Sequence, residues 1–376
     1  MSAPKKRILF LTLKTFGFTG GIEKMCRVVC RALYEIEEKG GIKNYVYSMY
    51  DRPIERDSRY TPNWSFQGFA KQRIWFVIVS IWRGMRSDTL LLSHVNLLFI
   101  GFLIRLFRPS IKIYLFAHGI EIWPRLGFLK RYFLKHIDIL AVSQFTKDKI
   151  ILSQGLQSDR IRVLNNALDP FYEFPTHFEK PQNLIKKYHL KKKGPLLFTL
   201  TRLASTEKYK GYDIVIEVLP EIIAHYPNLV YMIGGKYDKK EKQRLDGLIA
   251  QMGVQQHVQL SGFIDEIELT DHFLLADLFI MPSKKEGFGI VFIEAMASGL
   301  ATIAGNLDGS TDALKQGELG LLVDPENKAE IKEAILKQLK QHLDQSEPLI
   351  QQQKCRNYFG FEVYRGKLEE VLLEGS

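Results

Sequence analysis

Short apolar runs alternate with helical periods along almost the whole chain. The runs at 7–13, 45–49, 89–93, 112–116, 137–142 and 161–164 are rich in Ile, Leu, Val and Phe, and at four to seven residues they have the length of buried strands. Helical patterns fall between most of them, for instance over 22–36. Strands that read as continuous apolar runs and alternate with helices predict a doubly wound parallel α/β sheet, covered on both faces.

The alternation pauses over 170–193, a stretch rich in Pro, Lys and aromatic residues, and restarts with runs at 196–201, 229–233, 258–260, 278–281 and 301–304. Asp169-Pro170 is a turn signal. The expectation is therefore two Rossmann-like domains, 1–169 and 170–355, facing each other across a cleft. Ligands of such sheets bind outside the carboxyl ends of the strands, so function is sought in the loops that follow them.

Composition changes this picture little. A chain of 376 residues with 46% hydrophobic and 25% charged residues is that of a folded globular protein long enough for two domains. The three cysteines, Cys26, Cys30 and Cys355, cannot all pair and show no metal-ligand spacing, which points to a reducing, cytoplasmic compartment. The basic start Lys5-Lys6-Arg7 leads into an apolar run that Thr12 and Lys14 interrupt, so it reads as a first strand and not a signal peptide.

Charge adds more. Residues 1–168 hold 27 Lys and Arg against 12 Asp and Glu, whereas 169–376 hold 25 against 30, so the two halves face different partners. In the basic half, apolar clusters at 74–79 and 97–104 are bordered by Arg83, Arg86, Arg105 and Arg108. Neither cluster reaches the ~20 apolar residues of a spanning helix. The expectation is peripheral docking on the anionic inner face of a membrane. Nucleic acid is excluded as a partner, because no aromatic platform or helix-turn-helix pattern accompanies the basic residues.

Three loops carry candidate chemistry. The first, Lys14 to Glu23, contains Gly20-Gly21 at a helix start, where backbone N–H groups and the helix dipole attract a phosphate or sugar. It is not a G-x-G-x-x-G fingerprint or a P-loop, so hydride transfer and P-loop chemistry lose support. The second places Arg202 at a strand end and Lys210 just before the next helix, a fork and a point charge that can converge on one diphosphate. The third runs Pro282-Ser283-Lys284-Lys285-Glu286-Gly287-Phe288-Gly289 into a helix that carries Glu294. Two carboxylates flanking an anion-binding helix start can each hold sugar hydroxyls.

The spacing of Glu286 and Glu294, followed by Ala295-Met296-Ala297-Ser298-Gly299, resembles the E-x7-E signature of the family 4 glycosyltransferases, retaining enzymes of the GT-B fold. Gly20-Gly21-Ile22-Glu23, His118-Gly119-Ile120-Glu121, Val142-Ser143-Gln144-Phe145 and Asn165-Asn166-Ala167-Leu168-Asp169 resemble further motifs of that family, and Arg202 with Lys210-Gly211 resembles its phosphate clamp. Asn166 and Ala301 depart from the family's usual Gly and Pro, at a hinge and a packing turn. The end of the chain, 356–376, resembles the family's last helix, which crosses back onto the N-terminal domain.

The resemblance implies a role for each position. Glu294 would hold the ribose of a nucleotide, Arg202 and Lys210 its diphosphate, and Glu286 with the amides of Gly287, Phe288 and Gly289 the donor sugar and β-phosphate. Gly20 and Gly21 would line the donor site, Ile264 would lie in the loop that sets base and sugar selectivity, and His118 would lie beside the donor sugar. No metal and no cofactor are expected, since no D-x-D pair occurs in a suitable loop and the basic groups supply the positive charge. The implied activity is transfer from a nucleotide-diphosphate sugar, UDP-linked first and GDP-linked next, to a glycan or lipid-linked acceptor. The alternatives are a nucleotide-sugar epimerase and a non-catalytic sugar-binding protein of the same fold.

Overall fold

A computed structural model describes residues 5–190, 194–345 and 347–373. The chain divides into two compact units, Met1–Phe171 with Phe359–Ser376, and Tyr172–Tyr358. In the first unit β1 (Lys6–Thr12), α1 (Gly21–Glu38), β2 (Ile42–Ser48), β3 (Phe66–Gly68), α2 (Arg73–Gly84), β4 (Thr89–Leu92), α3 (Leu98–Phe107), β5 (Lys112–Ala117), α4 (Phe128–Leu134), β6 (Asp138–Ala141), α5 (Gln144–Gln154) and β7 (Ile161–Val163) follow one another. The seven strands lie in the order β3-β2-β1-β4-β5-β6-β7, all parallel.

The second unit begins with α6 (Gln182–Lys187), followed by β8 (Leu196–Leu200), α7 (Tyr212–His225), β9 (Val230–Gly234), α8 (Lys239–Gln251), β10 (Val258–Gly262), α9 (Leu269–Leu275) and β11 (Leu278–Met281). Then come α10 (Ile290–Ala297), β12 (Thr302–Gly305), α11 (Ser310–Ala313), β13 (Leu321–Val323), α12 (Lys328–Gln345) and α13 (Pro348–Phe359). Its six parallel strands run β10-β9-β8-β11-β12-β13. In each sheet the order reverses once, between β1 and β4 and between β8 and β11, and these switch points open a crevice for ligands. Both sheets are apolar on each side: Leu9 and Leu90 lie on one face of the first and Phe10 and Leu91 on the other, Leu197 and Leu278 on one face of the second and Phe198 and Phe279 on the other, all fully buried.

The last helix, α14 (Phe361–Leu373), lies in the first unit and packs on α1. Lys6 Nζ and Tyr114 Oη donate to its last carbonyls, Leu372 O at 2.7 Å and Val371 O at 3.0 Å, and Arg365 pairs with Glu35. The helix expected over this end is broken at Gly360, between α13 and α14. Two short strands, β3 and β13, were not among those expected from the apolar runs. The second strand starts three residues earlier than its apolar run, since Asn44 is polar yet fully buried, with Nδ2 donating to Glu37 Oε2 at 2.6 Å. Of the stretch read as a linker, 191–193 lie outside the described residues. Its earlier part is fastened to the second unit instead: Tyr172 Oη donates to Glu294 O at 2.9 Å, and Lys180 pairs with Asp277 at 2.5 Å.

Candidate active site

In the second unit, the switch point brings together the loop after β8, which carries Arg202 and Lys210, and the loop after β11, which carries Glu286. The Lys210 ammonium is bound to Glu286 Oε1, with both side chains about 15% exposed. Burial works against the Lys210 charge, but the Glu286 carboxylate outweighs it and leaves the pKa raised. Arg202 is exposed and pairs with Glu207. The two loops are also joined through their backbones, Lys284 N donating to Tyr209 O at 2.8 Å.

Gly289 sets the start of α10. Its φ of +84° belongs to the left-handed region, and an added Cβ would stand 2.4 Å from the Phe292 ring. Glu294 is buried in the second turn of this helix, at 6% exposure, on the same element whose first amides follow Glu286. Gly287 and Phe288 lead into that start, Phe288 with its side chain in the core. Ile264 follows β10 with its side chain buried against Gly234, while Phe263 beside it is exposed. What Ile264 can offer a ligand is therefore backbone.

In the first unit, His118 closes β5 beside the β4 loop. Its Nε2 lies 3.1 Å from Ser93 O, and its own N–H donates to Glu121 Oε1 at 2.6 Å. Burial pulls the imidazole pKa down to about 4, the bond to Ser93 opposing it, so the ring is neutral near pH 7. A neutral ring that donates from Nε2 to Ser93 O keeps its lone pair on Nδ1.

Gly20 is the extended N-cap of α1 and Gly21 its first residue. The helix start is screened by its own side chain, because a Cβ on Gly20 would stand 2.4 Å from Glu23 Oε2. Burial pushes the Glu23 pKa up. The preceding amides serve Asp51: Thr15 N, Phe16 N and Gly17 N donate to its carboxylate at 2.7, 3.2 and 3.0 Å, and Ser48 Oγ at 2.7 Å. Asp51 thus occupies the anion-binding curve that the glycine-rich loop offers.

Sequence reasoning missed both Asp51 and its counterpart in the second unit, Asp308. Each is a fully buried acid in the loop that follows a strand, β2 or β12. Asp308-Gly309-Ser310 carries the local signal, an acid able to cap backbone N–H groups before a short helix.

Residues 181–356 match the family described as Glycosyl transferases group 1, so the chain carries a domain of that family. Among curated relatives, the mannosylfructose-phosphate synthase of Agrobacterium fabrum is 28% identical over 208 residues, 54% of this chain and 45% of that protein. The GDP-mannose-dependent alpha-(1-6)-phosphatidylinositol monomannoside mannosyltransferase of Mycobacterium tuberculosis is 34% identical over 161 residues, 40% of each chain. The chain thus spans less than half the length of these curated relatives. Among solved structures, Anabaena HepE in complex with UDP and glucose superposes with a TM-score of 0.78 at 17% identity, covering 98% of this chain and 99% of the other. The two parallel-sheet units have the GT-B fold.

Proposed function

We propose that this chain is a retaining glycosyltransferase that moves a sugar from a nucleotide-diphosphate sugar to a glycan or lipid-linked acceptor without a metal. The observation that carries the reading is the Lys210–Glu286 pair at the second sheet's switch point, directly before the α10 start and Glu294. The relatives named above support a nucleotide-sugar donor, one called GDP-mannose-dependent and one solved with UDP and glucose. UDP-linked sugars are placed first and GDP-linked sugars next.

Breaking the bond between the anomeric carbon and the diphosphate develops negative charge on the leaving oxygen. Lys210, Arg202 and the start of α10 then stabilise the transition state more than the bound ground state. The acceptor oxygen attacks from the face the phosphate leaves, its proton passing to the departing phosphate oxygen, so configuration is retained without a protein nucleophile. Glu294 holds the ribose and Glu286 the donor sugar, and His118, neutral, is kept as a hydrogen-bonding group for the reaction. A thermal-shift screen with UDP, GDP, ADP and their sugars tests the donor, since ligand at 100 times its Kd adds ~2.7 kcal/mol. Product analysis for the retained anomer tests the rest; no shift with any nucleotide overturns the reading.

The acceptor side of the proposal rests on one face of the first unit. Helices α2, α3 and α4 contain no Asp or Glu. They pack side by side, Gly84 against Ile104 and Phe102 edge-on to Phe133 at 5.7 Å. Outward they expose Trp75 (53%), Trp82 (47%), Phe99 (67%) and Leu129 (80%). Among the described residues no helix is long and apolar enough to cross a membrane. An acid-free face of this kind suits the headgroup layer of an anionic bilayer presenting a lipid-linked acceptor.

Of the four arginines expected to border that face, only Arg86 is exposed. Arg83 donates to Tyr47 Oη and stacks 3.9 Å over Tyr45, Arg105 binds the carbonyls of His136 and Ile111, and Arg108 binds Met85 O and Asp88. Their charge is used within the fold, which leaves the exposed Lys71, Arg73, Arg86, Lys130 and Lys135 to meet a membrane.

A further inference from the structure

The loop that carries Glu286 is not held by its own sequence. Its anchor is a fully buried carboxylate from the next βα connection, Asp308. Asp308 Oδ2 accepts from Ser283 Oγ and from Glu286 N, each at 2.7 Å, and Oδ1 accepts from Ser310 N at 2.9 Å. Gly309 N returns a bond to Glu286 O at 2.9 Å. The approach is close enough that a Cβ on Gly309 would stand 2.1 Å from Gly287 O. Both ends of the Glu286 peptide are thus bound to Asp308 and Gly309, while the Glu286 side chain reaches Lys210.

This arrangement is costly by itself. Asp308 is buried beside a second carboxylate, Glu286, and burial first and that charge second push its pKa up to about 6; the bonds from Ser310 and Ser283 oppose the rise. The charged group facing it from the β11 loop is Glu286, with Lys210 beyond; α11 carries Asp312 in its first turn. No cation is paired with Asp308 among the interactions described. A neutral side chain would avoid the repulsion, whereas an ionised one accepts three bonds at once and fixes the loop.

The geometry points to Asp308 as a positioning residue whose carboxylate fixes the backbone of Ser283 to Gly287, and through it the reach of Glu286 towards Lys210 and the donor. This inference rests on the donor-site reading above. When Asp308 takes a proton, the protonated oxygen becomes a donor and a poorer acceptor; the Ser283 hydroxyl can turn to accept, but Glu286 N or Ser310 N, which can only donate, is left with a weakened bond. Ionised Asp308 is required for the ordered loop, and turnover falls on the acid side of pH 6.

The test uses the full chain, wild type and Asp308→Asn. Hydrogen exchange of 282–289, read without nucleotide, should speed up in Asp308→Asn and, in wild type, when pH falls from 7 to 5 after correction for intrinsic rates. With a competent donor, kcat should fall roughly 10- to 100-fold, the scale of a misplaced reacting group, and the Kd for free nucleotide should hold within about twofold. The wild-type acid limb near pH 6 should be absent in Asp308→Asn. Ser283→Ala, which removes a bond that favours the carboxylate, should move that limb to higher pH and serves if Asp308→Asn does not fold. Unchanged exchange in Asp308→Asn, or an acid limb that neither substitution moves, overturns the assignment. Exchange is independent of activity, so a chain that transfers no sugar yet shows the loosened loop rejects the transferase reading and keeps the clamp.

Discussion

Glu286 holds Lys210. The carboxylate expected to touch the donor sugar and the ammonium expected to touch the diphosphate are bound to each other before any ligand arrives. The pair keeps Lys210 charged in a half-buried site and sets the reach of both side chains. A diphosphate entering there takes over a cation that is already ordered, so little is lost in positioning it.

Lys210→Ala and Arg202→Ala are each expected to slow transfer by about 100-fold or more, on the order of one lost transition-state donor. The paired geometry adds a condition for Lys210. Because Glu286 loses its partner when Lys210 is removed, Glu286→Ala and Lys210→Ala are coupled, and the double variant should be less impaired than the product of the two single effects. Simple multiplicativity in kcat/KM would show that the pair does not act as a unit.

Glu294→Ala should weaken nucleotide binding, whereas Glu286→Ala should mainly lower kcat. Glu294 lies on α10 and would hold a ribose that does not react; Glu286 would touch the sugar that changes shape in the transition state. Calorimetry with nucleotide separates the two, and equal dissociation constants for wild type and Glu294→Ala would count against the assignment.

Turnover should survive EDTA, since on the proposed reading Lys210, Arg202 and the α10 start would supply the positive charge. Loss of activity on chelation, restored by magnesium, would replace the basic clamp with a metal.

The sequence showed the sheets, and it placed candidate residues in the loops after β8 and β11, for different reasons. Strands such as β4 and β11 are buried on both faces, which makes an apolar run, and the Glu286 and Glu294 spacing is local in the chain. What Asp51 and Asp308 hold was not legible, even where Asp308-Gly309-Ser310 signals a capping acid, because each acts on a loop 22 or more residues away, Asp308 on Glu286 and Asp51 on Thr15. Three of the four arginines were misread for a related reason: Arg83, Arg105 and Arg108 look like surface charge in sequence, and only the fold shows which carbonyls and rings they meet. Local pattern reports burial; it does not report partners.

Acidification should expose His118. Its folded pKa, about 4, lies below the ordinary value of 6.5, so the unfolded chain binds the extra proton first. Stability tied to this group is complete above pH 6.5 and is lost as pH falls towards 4, at up to about 1.4 kcal/mol per pH unit. Asp308 works in the opposite direction between pH 6 and 4, since its folded pKa is raised. His118→Gln should therefore lose less Tm than wild type between pH 7 and 5. Parallel Tm curves for the two proteins would show that the ring is not held neutral.

Sedimentation with vesicles decides what the acid-free face of α2, α3 and α4 does. Binding should appear with anionic lipid and fade as salt rises, because each Lys or Arg near such a surface contributes ~1 kcal/mol and screening limits its reach to about 8 Å. Reversal of Lys71, Arg73 and Arg86 to Glu should weaken it strongly. Reversal of Arg105 and Arg108 should disturb folding instead, since both are bound to carbonyls inside the unit. Trp75→Ser with Trp82→Ser removes apolar area at the same face and should weaken binding without changing its salt dependence, because area and charge act separately. Equal sedimentation with neutral and anionic vesicles, or none with either, would leave a soluble acceptor as the better reading and give the exposed aromatic residues another partner.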